Sequence, residues 1–80
     1  MNVTPIANNA IEVETLTLRV LFSYGTAVAL LDKITLEAAI PDESYSATTS
    51  RHISAWLKLH EVTQTRKVPK AQIVTAVMKL

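Results

Sequence analysis

The stretch Tyr45-Ser46-Ala47-Thr48-Thr49-Ser50-Arg51-His52 sets four aliphatic hydroxyls directly before a cation and an imidazole. Followed by an apolar helical pattern, it predicts a helix start. The first N–H groups of a helix have no intrahelical acceptor, and the macrodipole adds positive charge there. Hydroxyl donors, a guanidinium fork from Arg51 and a second donor from protonated His52 would complete an anion or partner contact. The candidate contact residues are therefore Thr48, Thr49, Ser50, Arg51 and His52. The structural alternative is capping, in which a single hydroxyl satisfies one orphan N–H for about 1 kcal/mol. The run lacks the glycines of a phosphate-binding loop or a dinucleotide fingerprint.

Catalysis is not expected. Ser46 or Ser50 with His52 or His60 would be the only nucleophile–base pairings near this block. Neither comes with an orienting acid, nor with the glycine-flanked strand–elbow–helix of a serine hydrolase. The chain has no cysteine and two histidines, which excludes thiolate chemistry and disulfides and leaves too few ligands for a zinc site. No catalytic residue, metal or cofactor is assigned.

The net charge of +1 conceals an asymmetry. Residues 1–50 carry six acids and two cations, and residues 51–80 carry six cations and one acid. The halves could neutralise each other, or the C-terminal third could offer a basic surface to nucleic acid or an acidic protein. Arg66, Lys67 and Lys70 would then be the phosphate contacts. The segment lacks a helix-turn-helix and the paired strand aromatics of an RNA-recognition sheet.

The elements that must carry these residues are read from periodicity. Residues 1–10, with Pro5 and Asn8-Asn9, read as a flexible or loosely docked arm. Leu16, Leu18, Val20, Phe22 and Tyr24 alternate with polar residues and predict a strand. Gly25 supplies the positive φ of a reversal. Ala27–Leu31 reads as a second strand, Asp32-Lys33 as a turn, and Ile34–Ile40 as a third strand; a helix over Ala27–Ala39 is the rival. Beyond Pro41, a helix from near Thr48 or Thr49 to about His60 places Ile53, Trp56, Leu57 and His60 on one stripe. Trp56 on that stripe reads as a core plug whose indole N–H finds a carbonyl. Val62–Val68 suits an edge strand or extended connector. Pro69 suits the first position of a last helix whose apolar stripe is Ile73, Ala76, Val77 and Leu80.

The expected fold is α+β: a three-stranded antiparallel meander, β-β-β-α, packed against a helix and followed by an extended link and a C-terminal helix. Residues 11–80 form its single domain. With no apolar run long enough to span a bilayer and no leader at Met1–Ala10, a cytoplasmic location without membrane contact is expected. The C-terminal helix is a candidate homodimer contact.

Over Leu16–Leu59 the chain resembles a class of short tailed-bacteriophage proteins. The resemblance is carried by the Tyr45–His52 block running on into Ile53-Ser54-Ala55-Trp56, and by the turn Ser23-Tyr24-Gly25-Thr26. It departs from them at Asp32-Lys33-Ile34, where relatives usually have a glycine or aromatic turn. No biochemical activity is established for that class. The resemblance implies a small non-enzymatic accessory protein in the host cytoplasm, binding and modulating a host protein through Thr48–His52 and the basic C-terminal third. Direct nucleic-acid binding, and an oligomeric sponge for a small anionic ligand or nucleotide, are the alternative readings.

Overall fold

A computed structural model describes residues 1–79. The chain runs β1 (Asn2–Ala7), β2 (Ala10–Glu14), β3 (Leu18–Ser23), β4 (Thr26–Asp32), β5 (Glu37–Pro41), α1 (Ala47–Leu59), β6 (Gln64–Val68) and α2 (Lys70–Met78). The strands form one six-stranded sheet in sequence order. β1 to β5 are antiparallel neighbours, and β6 returns parallel to β5 after the α1 crossover. A mixed six-stranded sheet with two helices thus replaces the expected three-stranded meander.

Three local features account for the β1–β2 pairing and for the starts of β3 and β5. Asn9 adopts φ 62°, which lets Asn8-Asn9 reverse the chain, so residues 2–7 pair with β2 where the sequence suggested a loose arm. Pro5 lacks an N–H and is tolerated because β1 is an edge strand. The long apolar alternation beginning at Leu16 is interrupted by a turn in which the Thr15 N–H donates to the Leu18 carbonyl at 2.8 Å, while the Leu18 N–H donates to Thr15 Oγ1 at 3.1 Å. Leu16 projects into solvent at 92 % exposure, and the strand starts only at Leu18. The third difference lies at Asp32, whose carboxylate accepts the N–H groups of Ile34 (2.8 Å) and Thr35 (3.0 Å). These local bonds compete with ladder formation. They push Leu36 into the left-handed region at φ 65° and delay β5 until Glu37.

The two helices cover opposite faces of the sheet, as the alternation of single strands shows. In β3, Leu21 packs with Trp56 and Ile53 of α1, while its neighbour Val20 packs with Ile73 of α2. In β5, Ala38 and Ala39 divide in the same way. A bulge in β4 at Val28 keeps Val28 and Ala29 both on the α1 side and returns Ala27 to the α2 side. Ser23-Tyr24-Gly25-Thr26 is a two-residue hairpin with φ 52° and 79° at its centre, the pattern of a type I′ turn. Of the stripe read on α2, Ile73 and Val77 pack on the sheet, and Leu80 lies outside the described residues.

Candidate functional site

Helix α1 carries most of the residues singled out from the sequence. Its N-cap is Ser46, whose Oγ accepts the Thr49 N–H at 3.3 Å. One hydroxyl therefore performs the capping, as the structural alternative required. The remaining residues of the block divide between the core and the surface, because successive helical positions point about 100° apart.

Thr49 and His52 turn inward and are buried. The Ser23 hydroxyl at the end of β3 lies 3.0 Å from Thr49 Oγ1 and 2.8 Å from His52 Nδ1. Tyr24, in the adjoining turn, lays its ring beside the imidazole with centroids 6.0 Å apart. The result is a closed hydroxyl–imidazole cluster that fixes the start of α1 to β3. Ser23 is 3 % exposed, so its hydroxyl is shielded from any substrate.

The other end of α1 is held by Glu12, which sits mid-strand in β2 on the face toward the helix. Its Oε1 accepts the Trp56 indole N–H at 2.8 Å and is also bonded to His60 Nε2; its Oε2 accepts Arg19 Nη1 at 2.9 Å. The expected carbonyl partner of Trp56 is thus a carboxylate. An ionised carboxylate only accepts hydrogen bonds, so the proton in the imidazole contact belongs to Nε2. Burial pushes the Glu12 carboxyl up, but the hydrogen bonds from Trp56, His60 and Arg19 outweigh it and hold the group below its ordinary value. The chain of charge continues outward: Arg19 lies 3.5 Å from Glu14, and Lys33 Nζ donates to Glu14 at 2.6 Å, which lowers the Glu14 carboxyl.

Glu12 and Ser23 were not among the residues singled out from the sequence. The signal for Glu12 was indirect. Trp56 and His60 at i and i+4 share one buried helix face, and two ring N–H donors there need an acceptor from the sheet.

Thr48, Ser50 and Arg51 face outward. Ser50 borders an open groove of about 260 Å³ between α1 and the β5–β6 side of the sheet. Ile40, Ile53 and Leu57 give it an apolar floor, Ser50 and Ser54 line the helix wall, and Lys67 of β6 lines the opposite one. At the end of the groove, Lys70 Nζ stands 4.1 Å from the Tyr45 ring centroid and donates to the Ser44 carbonyl at 3.2 Å. Burial raises the Tyr45 phenol.

The three proposed phosphate contacts are not gathered on one surface. Parallel pairing sets Arg66 opposite Ala39 and Lys67 opposite Ile40, and these neighbours point to opposite sheet faces. Arg66 Nε donates to Glu37 at 3.3 Å on the α2 side. Lys67 stays on the α1 side with the groove, and Lys70 is engaged by Tyr45 and Ser44. No group of three or more His, Cys, Asp or Glu side chains among the described residues could hold a metal ion. No described helix is long and apolar enough to cross a membrane.

A small mixed sheet with a helix on each face, and a groove where one helix leaves the sheet edge uncovered, defines the class of protein. The family model for a family of unknown function, DUF8033, matches residues 1–75, and the chain belongs to that family. No curated protein and no solved structure matches it.

Proposed function

We propose that the protein is a non-enzymatic binding module that docks a host protein in the groove between α1 and the β5–β6 edge, modulating that partner by occupancy. The groove itself carries this reading. It is the place where Ser50, from the block at the start of α1, and Lys67, from the basic C-terminal third, border the same apolar floor. An apolar floor with a polar rim is the composition of a recognition surface. The host context follows from the resemblance to tailed-phage accessory proteins.

Two features weigh against the other readings. The hydroxyl–imidazole cluster that a sponge for small anions would use is spent on Ser23. The cations that a nucleic-acid binder would use are split between sheet faces and partly paired, where a phosphate-tracking surface needs them in a row.

The test is affinity capture from host lysate with the wild-type chain and with Ser54→Arg, which fills the groove from an exposed helix position. A stoichiometric protein retained by the wild type and lost from the variant is the expected result. Absence of any such protein, or equal retention by both chains, overturns the reading.

A further inference from the structure

The sheet ends on β6, and the backbone of that strand is half used. The Asp42 N–H donates to the Val68 carbonyl at 2.8 Å, extending the β5–β6 ladder, so Val68 points its backbone groups at β5. Backbone direction alternates along a strand, so Arg66 and Gln64 also face β5, and the N–H and C=O groups of Thr65 and Lys67 face away from the sheet. β6 is the last strand of the sheet, and residues Gln64–Lys67 are exposed. Natural sheets usually blunt such an edge with charged side chains, proline, a bulge or a covering element. β6 has neither proline nor bulge, and α1 stands back from it across the groove; what guards the edge is charge, from Arg66 and Lys67, which an acidic segment would neutralise.

The side chains on this edge define what it would accept. Lys67 lies on the groove side and belongs to no ion pair among the described residues. Arg66 on the reverse face is already held by Glu37. Beside Lys67 opens the apolar floor of Ile40, Ile53 and Leu57, and Asp42 and Glu43 from the loop after β5 line the same groove, so the acidic group of an occupant is accepted at Lys67 and disfavoured beside that loop.

We infer that β6 is a strand-addition site, at which an extended peptide segment of a protein partner pairs with the outward backbone groups of Thr65 and Lys67. The segment carries an acidic side chain toward Lys67 and, two residues away on the same face, an apolar side chain that enters the groove. Main-chain bonds supply the docking and the two side chains supply the selectivity. The inference rests on the proposed use of the groove and adds the conformation and chemistry of its occupant.

The probe is a fluorescent heptapeptide of alternating pattern with one Glu and one Leu two positions apart, titrated against the ¹⁵N-labelled full chain. A second peptide has Lys in place of Glu, and a third has N-methylated backbone amides. Expected are chemical-shift changes at Thr65–Val68, Ile40 and Ser50–Leu57, slowed exchange of the Thr65 and Lys67 amides, and at least tenfold weaker binding of the other two peptides. Thr65→Pro deletes one outward N–H without touching the β5 ladder and should abolish binding. Lys67→Glu, at an exposed position, should reverse the preference between Glu and Lys peptides with the melting temperature unchanged. Shifts confined to the groove, with Thr65 and Lys67 amides unaffected, overturn strand addition while leaving the groove reading intact. No shift at either place with any peptide overturns both. Slowed Thr65 and Lys67 exchange in the free chain, with concentration-dependent sedimentation, identifies a second copy as the occupant and overturns the inference for a foreign peptide.

Discussion

The Trp56 indole N–H meets a carboxylate oxygen of Glu12 at 2.8 Å across 44 residues of sequence. The largest core side chain is thereby tied to a buried acid in the middle of β2, and both are almost fully enclosed. Three donors converge on this carboxylate from α1 and β3, so it behaves as the polar bolt between helix and sheet. A fully satisfied buried network specifies one arrangement of its partners, and a broken one is costly because the remaining groups cannot return to water.

Removing the bolt should therefore show in stability. Glu12→Ala leaves the Trp56 N–H and the Arg19 guanidinium without their acceptor and should lower unfolding stability by about 3 kcal/mol. Glu12→Gln keeps an acceptor oxygen and should cost about half as much. Urea unfolding followed by Trp56 fluorescence measures both. Equal costs for the two variants would show that charge, rather than acceptor geometry, is what the site requires.

The same carboxylate predicts an acid limb. Its folded value lies below the ordinary 4.5, so the folded state binds fewer protons than the unfolded one near that pH. Stability from this group is fully present above about pH 4.5 and is lost as pH falls through the lowered folded value. Glu14, lowered by its bond from Lys33, and Asp32, lowered by the Thr35 and Ile34 N–H groups, act in the same direction but are only half-buried and more strongly screened than Glu12. Midpoint-against-pH curves should flatten below pH 4.5 in Glu12→Gln and keep most of their slope in Asp32→Asn.

Much of this was legible in the chain, in proportion to how local its cause was. The α1 stripe of Ile53, Trp56 and Leu57 follows from 3.6-residue periodicity, β3 from alternation, and β4 from a short apolar run between turn residues, while the β-branched segment of β6 suited an edge strand and a connector equally. β1 was obscured because its pairing depends on Asn9 turning left-handed, and Pro5 with the Asn8-Asn9 pair masked the strand preference of Val3, Thr4 and Ile6. Ile34 and Leu36 imitated strand alternation because nothing in their apolar character reveals that Asp32 captures the local N–H groups. Of the candidate block, the sequence identified the helix start but not which hydroxyls it spends. That division depends on Ser23, 26 residues before Thr49 and reachable only through the sheet. Glu12 was read only as one acid of the N-terminal half, because β2 was not anticipated and alternation alone cannot tell which face of a strand a helix will cover.

Ser23 is the cheapest single probe of how the start of α1 is fastened. Ser23→Ala removes the partner of both Thr49 Oγ1 and His52 Nδ1 and leaves those polar atoms enclosed. The expected cost is about 1–3 kcal/mol. Hydrogen exchange should rise first in the opening turn of α1, around Thr49 to His52, before the centre of the sheet responds. Uniform loss of protection across the sheet would instead make the cluster part of the global core.

The far end of α1 offers a change in the opposite direction. The Val62 N–H donates to the Leu57 carbonyl at 3.0 Å and the Glu61 N–H to the Lys58 carbonyl at 3.1 Å, which is the Schellman pattern of a helix end. That pattern places Glu61 at φ 52°, where a side chain costs about 1–2 kcal/mol and glycine costs none. Glycine also gives the unfolded chain more freedom, which offsets part of the gain. The Glu61 side chain forms no ion pair among the described residues, so its removal forfeits little. Glu61→Gly should therefore stabilise the protein by about 0.5–1 kcal/mol, raising the melting temperature by roughly 2–8 °C for a domain of this size. Glu61→Ala, which keeps a Cβ in the same backbone region, should leave the melting temperature unchanged or lower it. Thermal unfolding of the pair separates relief of backbone strain from loss of the acidic side chain, because only the first distinguishes glycine from alanine.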